Sequence, residues 1–204
     1  MTTQTAPKRS RKSAADRKAE IVETAIQLAG ELGPDRVTTQ RIADAVGLTQ
    51  PGIFRHFPAK TDIWLAVGEW IAPAPGARTD EFSETSDPAA QMQAMVSAYL
   101  TGIMRHPAIP AILFSRELHV ENDQLRAHFE RVMKHRRAGF TKLARAAQAN
   151  GTLSEQIPPE DLAALILALI QGLAMRWSLE NRRFDLVAEG TRLMQGMISP
   201  FQTQ

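Results

Sequence analysis

Residues 49–56 combine hydrogen-bonding side chains with a slim residue on a segment short enough to form one small helix. They include Thr49, Gln50, Gly52, Arg55 and His56. Donors and acceptors of these kinds distinguish base pairs by their edges in the major groove of DNA, where an arginine can bind guanine O6 and N7 bidentately. The chemistry that this stretch favours is therefore non-covalent recognition of DNA.

The sequence contains few features of a catalytic site or a metal site. It has no cysteine, which excludes a disulfide framework, a thiolate nucleophile and a cysteine-ligated metal centre. His128 and His135 share one face of a predicted helix, but no His-Glu-x-x-His motif accompanies them. A nucleophile elbow, a phosphate loop and a dinucleotide fingerprint are all absent from the sequence. We expect no cofactor, no metal site and no catalytic residue; an enzyme acting on a small apolar molecule remains an alternative.

Positive charge is concentrated towards the beginning of the chain. Residues 1–62 contain 10 Lys or Arg and 7 Asp or Glu, net +3, whereas the whole chain carries +2. The first fifteen residues have four basic side chains and no acid; the four are Lys8, Arg9, Arg11 and Lys12. Because no apolar stretch follows them, they do not form a secretory signal. We predict a disordered basic arm over residues 1–15, and the charge bias favours a polyanionic partner.

Apolar residues recur at three- and four-residue spacing through most of the chain, whereas strand patterns and hairpin turns are nearly absent. This pattern predicts an all-α fold. The predicted helices cover residues 16–32, 38–46, 50–56, 61–71, 88–105, 109–118, 123–149, 159–181 and 185–198. The most apolar run, residues 162–175, is shorter than the roughly 20 residues that span a bilayer. We interpret it as a buried helix and expect no membrane partner.

Two of the short helices, 38–46 and 50–56, follow each other through Gly47-Leu48, which is the pattern of a helix-turn-helix. A glycine suits the end of the first helix, and Ala43 is small enough for the second helix to cross it closely. Four apolar residues would fill the space between the helices: Ile42, Val46, Leu48 and Ile53. We therefore expect the polar face of residues 50–56 to be the recognition surface.

Residues 38–64, from Thr38-Thr39-Gln40 to Asp62-Ile63-Trp64, resemble the signature of the tetracycline-repressor (TetR) family of bacterial transcription regulators. The resemblance covers the chain from the first predicted helix to the start of the fourth. It includes Ile42-Ala43, Gly47, the Phe54-x-His56-Phe57 block and Lys60. The family usually has tyrosine where this chain has Phe54, which can offer only apolar contact to a sugar or a thymine methyl group.

The resemblance implies two functional units. Residues 16–60 would form an N-terminal three-helix helix-turn-helix DNA-binding domain, and residues 61–204 a C-terminal helical ligand-binding and dimerisation domain. The protein would be a homodimer in the bacterial cytoplasm that binds palindromic double-stranded operator DNA, usually as a repressor, and is released by a small-molecule effector. A constitutive DNA-binding regulator without a ligand is the main alternative.

The resemblance also assigns DNA contacts by position. Residues expected at the phosphate backbone are Thr38 or Thr39, Thr49, His56 and Lys60. Residues expected at base edges are Gln40, Gln50, Pro51 and Gly52. Arg55 is our own candidate for a base or phosphate contact. Each position has a plainer interpretation, because threonines cap helices, lysines are often only solvated and His56 can pack beside Phe57.

Aromatic residues of the C-terminal part provide candidates for a ligand site. In this family the cavity lies among the later helices, and Tyr99, Phe114, Phe129 and Trp177 are the expected lining residues. Few acids interrupt these apolar faces, which favours a hydrophobic or aromatic ligand over a metal ion. Residues of these types more often form ordinary core, and that is the alternative interpretation.

Small residues suggest a dimer surface on the last two helices. Ala164, Ala168 and Gly172 recur every four residues, and a glycine inside a helix costs about 1 kcal/mol relative to alanine. The last helix adds Leu186, Gly190, Leu193 and Met197 on one face. We expect two helices from each subunit to form a four-helix interface. Packing within one subunit is the alternative.

Overall fold

The computed structural model of the protein describes residues 12–72 and 87–202, and α-helices dominate both stretches. The elements are α1 (Ala14–Leu32), a 3-10 turn (Pro34–Arg36), α2 (Thr39–Val46), α3 (Gln50–Phe54), α4 (Lys60–Ile71), α5 (Pro88–Arg105), α6 (Ile109–Leu113), α7 (Arg116–Glu121), α8 (Asp123–Ala149), α9 (Pro159–Leu179), α10 (Leu186–Ile198) and a second 3-10 turn (Ser199–Phe201). The described part contains no strand, only an isolated bridge between Leu153 and Gln202. The predicted all-α fold class is confirmed.

The first helix begins earlier than the sequence pattern predicts, because Ser13 and Asp16 form a capping box. The Ser13 hydroxyl accepts a hydrogen bond from Asp16 N at 3.1 Å, and the Asp16 carboxylate accepts one from Ser13 N at 3.2 Å. The last residues of the predicted disordered arm are therefore helical, which corrects its boundary. Residues 1–11 of the arm lie outside the described residues, as does most of the loop expected between the fourth and fifth helices.

Two other predicted helices are wrong in extent. The recognition helix α3 ends at Phe54, two residues before its predicted end. The predicted helix over residues 109–118 is two helices, because the Ser115 hydroxyl accepts a hydrogen bond from Leu118 N at 3.3 Å and starts α7. The remaining predicted boundaries agree within two residues.

Buried apolar side chains form two clusters that divide α8 between them. The first joins α1 to α4 with α6, α7 and the beginning of α8, where Leu125, Phe129 and Val132 are buried. The second joins α5, α9 and α10 with the later part of α8, where Phe140 and Ala144 are buried. The core of the helix-turn-helix thus continues past residue 60 into the helices of the C-terminal part.

Helix α4 lies directly against α8 and is held at both ends. Asn122 Nδ2 donates a hydrogen bond to the Thr61 carbonyl at 2.8 Å, and a ring nitrogen of His128 lies 2.9 Å from the Ala72 carbonyl oxygen. Between these points Gly68 permits close approach, because a Cβ there would lie 2.6 Å from Leu125 Cδ1. Helix α4 is therefore in direct contact with the first turns of α8 between these two hydrogen bonds.

Helix α9 is the one described helix that is long and apolar enough to cross a membrane by length and composition. Its inner face, which includes Leu162, Ile166 and Trp177, is buried in the second cluster against α5, α8 and α10. A core helix has the same composition, but the predicted burial holds for this inner face only, because residues on the other face, such as Leu165 and Leu179, are exposed.

Candidate nucleic-acid interface and internal cavity

The turn between α2 and α3 is built by local geometry. Gly47 adopts a left-handed conformation (φ 67°, ψ 39°), which glycine reaches without steric cost, and Leu48 N then donates to the Ala43 carbonyl at 2.9 Å. Ile42, Ala43 and Ile53 are at most 1% exposed. The two helices are consequently locked together, and the orientation of α3 is set by α2.

Thr38 and Thr49 cap the two helices. The Thr38 hydroxyl accepts from Arg41 N at 3.2 Å, and the Thr49 hydroxyl accepts from Gly52 N at 3.3 Å. Both residues are exposed, so the capped helix beginnings are open to solvent. Backbone N–H groups at such a beginning favour a phosphate, which is compatible with the contacts expected here.

Thr39 occupies a different position from Thr38. It is 8% exposed, and its hydroxyl accepts a hydrogen bond from Gln50 Nε2 at 2.8 Å. Of the two threonines that the sequence leaves as alternatives, the geometry favours Thr38 at the surface and makes Thr39 a support for Gln50. This contact fixes the side-chain amide of Gln50 at the start of the recognition helix.

The remaining candidates for DNA contact lie on or beside the exposed side of the helix-turn-helix. Gln40 is exposed and donates to Asp44 at 2.7 Å, whereas Pro51, Phe54 and Arg55 are exposed and Gly52, His56 and Lys60 half-buried. Phe54 is 40% exposed, a large apolar surface for a solvated helix. Within the described ranges, neither Arg55 nor Lys60 forms a side-chain hydrogen bond or ion pair. Their charges are available to an anion.

Helix α1 contributes basic residues that the sequence pattern does not single out. Lys18 Nζ lies 5.4 Å from the centre of the Phe57 ring, and Arg17 reaches the Val46 carbonyl at 3.5 Å. Lys12 donates to Glu20 at 2.8 Å, and this hydrogen bond lowers the pKa of the Glu20 carboxyl. The last basic residue of the arm is thereby held against α1.

A cavity of about 310 Å³ lies among the end of α4 and helices α5, α6, α8 and α9. Tyr99, Phe114 and Phe129 line it, together with Val132 and Ile71. These aromatic residues come from α5, the end of α6 and α8, which are far apart in the sequence but border the same cavity. Most of the wall is carbon, as expected for an apolar ligand.

Trp177 does not line the cavity, so its assignment as a lining residue is wrong. It is 4% exposed in the second cluster, and its indole N–H donates to the Phe184 carbonyl at 3.0 Å. The guanidinium of Arg182 lies 5.9 Å from its ring centre. Trp177 therefore closes the end of α9 against the following loop.

Polar residues at the cavity were missed by the sequence analysis. They are His135, Arg136 and Gln171. The guanidinium carbon of Arg136 lies 4.4 Å from the centre of the Tyr99 ring, and Gln171 Nε2 lies 3.6 Å from Met133 Sδ. Gln171 interrupts the most apolar run of the chain, and this interruption could have indicated a polar position at the cavity. Nothing in the sequence pattern indicated that Arg136 would line the cavity.

The outer face of α9 is exposed and apolar. Ala164, Ala168 and Gly172 are exposed, and so are Leu165 at 47% and Leu179 at 75%. A row of small and apolar side chains of this kind is typical of a surface that a partner covers. It corresponds to the face expected to form the dimer.

Helix α10 departs from its predicted role. Leu186 is fully buried, and a Cβ at Gly190 would lie 2.1 Å from Leu100 Cδ1, so both residues pack against their own subunit. Leu193 and Met197 are half-buried and can still meet a partner. Leu186 and Gly190 are therefore removed from the set of interface candidates, because α10 turns that face to α5.

Three of the histidines make separate structural contacts. His106 packs edge-on against Trp70 with ring centres 4.6 Å apart, and a ring nitrogen of His119 lies 2.8 Å from the Leu113 carbonyl oxygen. His128 is bound to the end of α4. In residues 12–72 and 87–202, no group of three or more His, Asp or Glu is placed to hold a metal ion.

Two family models match the chain. Residues 21–67 match the model described as bacterial regulatory proteins, tetR family. Residues 88–196, more than half of the chain, match the model described as BetI-type transcriptional repressor, C-terminal.

Individual relatives agree with these matches. The nucleoid occlusion factor SlmA of Vibrio cholerae is 25% identical over 164 residues, which cover 79% of this chain and 84% of SlmA. A transcriptional regulator from Saccharomonospora viridis, solved in complex with choline, superposes with a TM-score of 0.77 at 21% identity, covering 93% of this chain and all of the other. NalD of Pseudomonas aeruginosa, the secondary repressor of the MexAB-OprM multidrug efflux pump, has a TM-score of 0.75 at 19% identity, with 95% and 99% covered. These two structures show that the fold is shared.

Proposed function

The chain belongs to the tetR family of bacterial regulatory proteins, which are DNA-binding transcription regulators, and from this premise we propose that it is a ligand-released repressor. In this proposal a homodimer binds a palindromic operator, and a small, mainly hydrophobic or aromatic molecule in the cavity releases it. Residues 16–60 read the DNA, and residues 61–204 bind the ligand and the second subunit. The protein acts in the bacterial cytoplasm, where the chromosome is.

The observation that carries this proposal is a shared wall. Phe129 and Val132 line the cavity and are buried in the same apolar cluster as the helix-turn-helix. A ligand that moves these side chains must therefore repack the cluster that supports α2 and α3. Close-packed cores transmit such displacements instead of absorbing them.

Helix α4 supplies the mechanical connection. Ile71 and Ala72, at the end of α4, line the cavity. The first residue of α4, Lys60, directly follows the helix-turn-helix. The hydrogen bonds from Asn122 and His128 hold both ends of α4 to α8. Tilting α8 at Phe129 changes the position of α4, and with it the position of α3.

A second contact joins the helix-turn-helix domain to the ligand-binding part. Asp35, in the 3-10 turn before α2, accepts a hydrogen bond from the Ser115 hydroxyl at 3.1 Å. A hydrogen bond with Asp35 raises the pKa of the Glu117 carboxyl on α7. The helix-turn-helix domain is thus connected to the ligand-binding part through α4, which is bonded to α8, and through the contact between Asp35 and the beginning of α7, in addition to the packing of α1 against α6.

For DNA binding, we assign one set of residues at the surface of the helix-turn-helix to phosphates and a second set, most of them on or next to α3, to bases. The phosphate group consists of Thr38, Thr49, His56 and Lys60. The base-reading group consists of Gln40, Gln50, Pro51, Gly52 and Arg55, with Phe54 against a sugar or a thymine methyl group. Thr39 positions Gln50 through its 2.8 Å hydrogen bond.

The exposed face of α9 is the proposed dimer surface, supplemented by Leu193 and Met197 of α10. A two-fold dimer places its recognition helices in successive major grooves only if they lie about 34–36 Å apart, one turn of DNA. A ligand releases the operator when it binds a dimer of different spacing more tightly. Operator must then lower the affinity for the ligand by the same factor by which the ligand lowers the affinity for the operator.

Selection of bound duplexes from a random DNA library tests the proposal. We expect enrichment of a palindrome whose half-sites lie one or more helical turns apart, bound by a dimer in sedimentation measurements. Enrichment of no sequence would contradict the repressor assignment. Once an effector is found, equal affinities for the free and operator-bound protein would contradict release and favour a constitutive regulator.

A further inference from the structure

We propose that Asp44 orients the side-chain amide of Gln40 so that Gln40 reads adenine and rejects guanine in the operator. The inference rests on the proposed function, which places Gln40 at a base edge. It goes further by naming the base that is selected and by assigning Asp44 as a positioning residue that acts through Gln40.

Gln40 lies where the two helices of the helix-turn-helix begin side by side. It is the second residue of α2, and it is exposed. Its neighbour Thr39 accepts a hydrogen bond from Gln50 Nε2 at 2.8 Å, so the beginning of α2 is within side-chain reach of the beginning of the recognition helix α3. Gln40 therefore adjoins the surface that we propose to enter the major groove.

The amide of Gln40 is held by Asp44, one turn further along α2. Gln40 Nε2 donates a hydrogen bond to Asp44 Oδ1 at 2.7 Å. Because a carboxylate has only acceptors at neutral pH, the nitrogen of this amide must face Asp44, and its oxygen must point elsewhere. Gln27 and Glu31 of α1 make the same kind of contact at the same four-residue spacing, at 2.9 Å.

The oriented amide matches adenine. A glutamine amide has one oxygen acceptor and two N–H donors, and Asp44 takes one of the donors. The oxygen and one N–H remain for the DNA. In the major groove adenine offers the complementary pair, because its N6 donates and its N7 accepts, whereas cytosine N4 and thymine O4 each offer a single partner.

Guanine is rejected because its N7 and O6 both accept hydrogen bonds. A free glutamine could turn its amide by half a rotation and present two N–H groups to guanine. In this protein the same rotation would bring the Gln40 oxygen against the Asp44 carboxylate, two acceptors with no proton between them. Gln40 thus binds the adenine, and Asp44 provides the discrimination against guanine.

The position of Asp44 is unfavourable for folding and for DNA affinity, which indicates a functional reason for it. Asp44 lies in the last turn of α2, where the helix dipole favours cations, and aspartate is a weaker helix former than alanine. It is also exposed on a surface that we propose to face phosphates, which its charge repels. Such local conflicts are expected at functional sites.

Selection from a random duplex library with the wild type and with Gln40→Ala locates the base pair that Gln40 reads, because the variant should lose its preference at that position alone. Fluorescence anisotropy then compares four duplexes that differ only at this base pair. The wild type should bind the adenine duplex about 5- to 140-fold more tightly than the guanine duplex, the range expected for one bidentate contact.

Asp44→Ala tests the positioning residue, and Asp44→Glu is its conservative control. Alanine frees the amide to bind either purine, so the ratio of adenine to guanine affinity should fall to within about twofold of one. The lost negative charge should tighten binding of all four duplexes alike, which cancels in this ratio. Asp44→Glu keeps a carboxylate at the spacing of Gln27 and Glu31 and should keep the wild-type ratio. Melting temperatures verify that the variants are folded.

A preference for guanine, cytosine or thymine at this position would overturn the inference. So would an unchanged ratio in Asp44→Ala, an equal loss of the ratio in Asp44→Glu, or a selected sequence that Gln40→Ala leaves unaltered. Each of these results leaves a protein that selects an operator, so the proposed function would stand. A wild type that enriches no sequence would instead contradict the proposed function, and the inference with it.

Discussion

Replacing Gly68 by alanine tests the connection between α8 and the recognition unit without touching either DNA or ligand. A Cβ at this position would lie 2.6 Å from Leu125 Cδ1 and 3.6 Å from Phe129 Cζ. Carbon atoms pack best at about 3.5–4.0 Å. Leu125 is fully buried, so α4 must retreat from α8 by about 1 Å or Leu125 must change its rotamer.

The expected loss of stability follows from two opposing terms. Overpacking a core costs about 1–3 kcal/mol, and alanine in place of glycine inside a helix returns about 1 kcal/mol. The net loss is up to about 2 kcal/mol, which lowers the melting temperature of a chain this size by up to about 8 °C. Operator affinity should fall about 5- to 150-fold, the usual scale of coupling between sites, because α4 carries the displacement to α3.

Gly139→Ala is the control, measured by thermal unfolding and by fluorescence anisotropy with labelled operator well below the melting temperature. A Cβ at Gly139 meets only Met95 Cε, at an ordinary 3.6 Å, so this variant should gain stability and keep its operator affinity. If Gly68→Ala also gained stability and bound operator as the wild type does, the close approach of α4 to α8 would not control the recognition unit.

Three further perturbations address the DNA and dimer surfaces. Lys60→Ala should reduce the salt slope of operator binding by about one and weaken all sequences alike, and an unchanged slope would remove Lys60 from the interface. Arg55→Ala should relax the selected operator at particular positions, at about 1–3 kcal/mol for a lost bidentate contact, whereas an identical selected sequence would contradict base reading by Arg55. Leu165→Glu should convert the dimer to monomer in sedimentation because it charges the exposed face of α9. Val120→Glu, which charges an equally apolar residue that is 71% exposed on α7, should leave the dimer intact; a dimer that survives Leu165→Glu would place the interface elsewhere.

Local interactions account for the parts of the fold that the sequence predicted well. Thr38, Thr49 and Gly47 act within three or four residues of themselves, so their types and spacing suffice to place the ends of α2 and α3. The prediction of a single helix over residues 109–118 was wrong because a local signal was overlooked. Ser115 caps the beginning of a new helix, but a serine within an apolar pattern does not by itself indicate that one helix ends and another begins.

By itself, the amino-acid sequence determined the all-helical fold, the helix-turn-helix and the family, because caps, glycine turns and apolar periodicity are short-range properties. Only the tertiary structure decided what each helix face packs against. Gly172 and Gly190 look alike in sequence, yet Gly172 is exposed and Gly190 lies against Leu100, 90 residues away. Arg136 likewise became part of the cavity only when folding brought it to Tyr99. Such contacts depend on how whole helices cross, and helix crossing depends on the packing of many side chains at once.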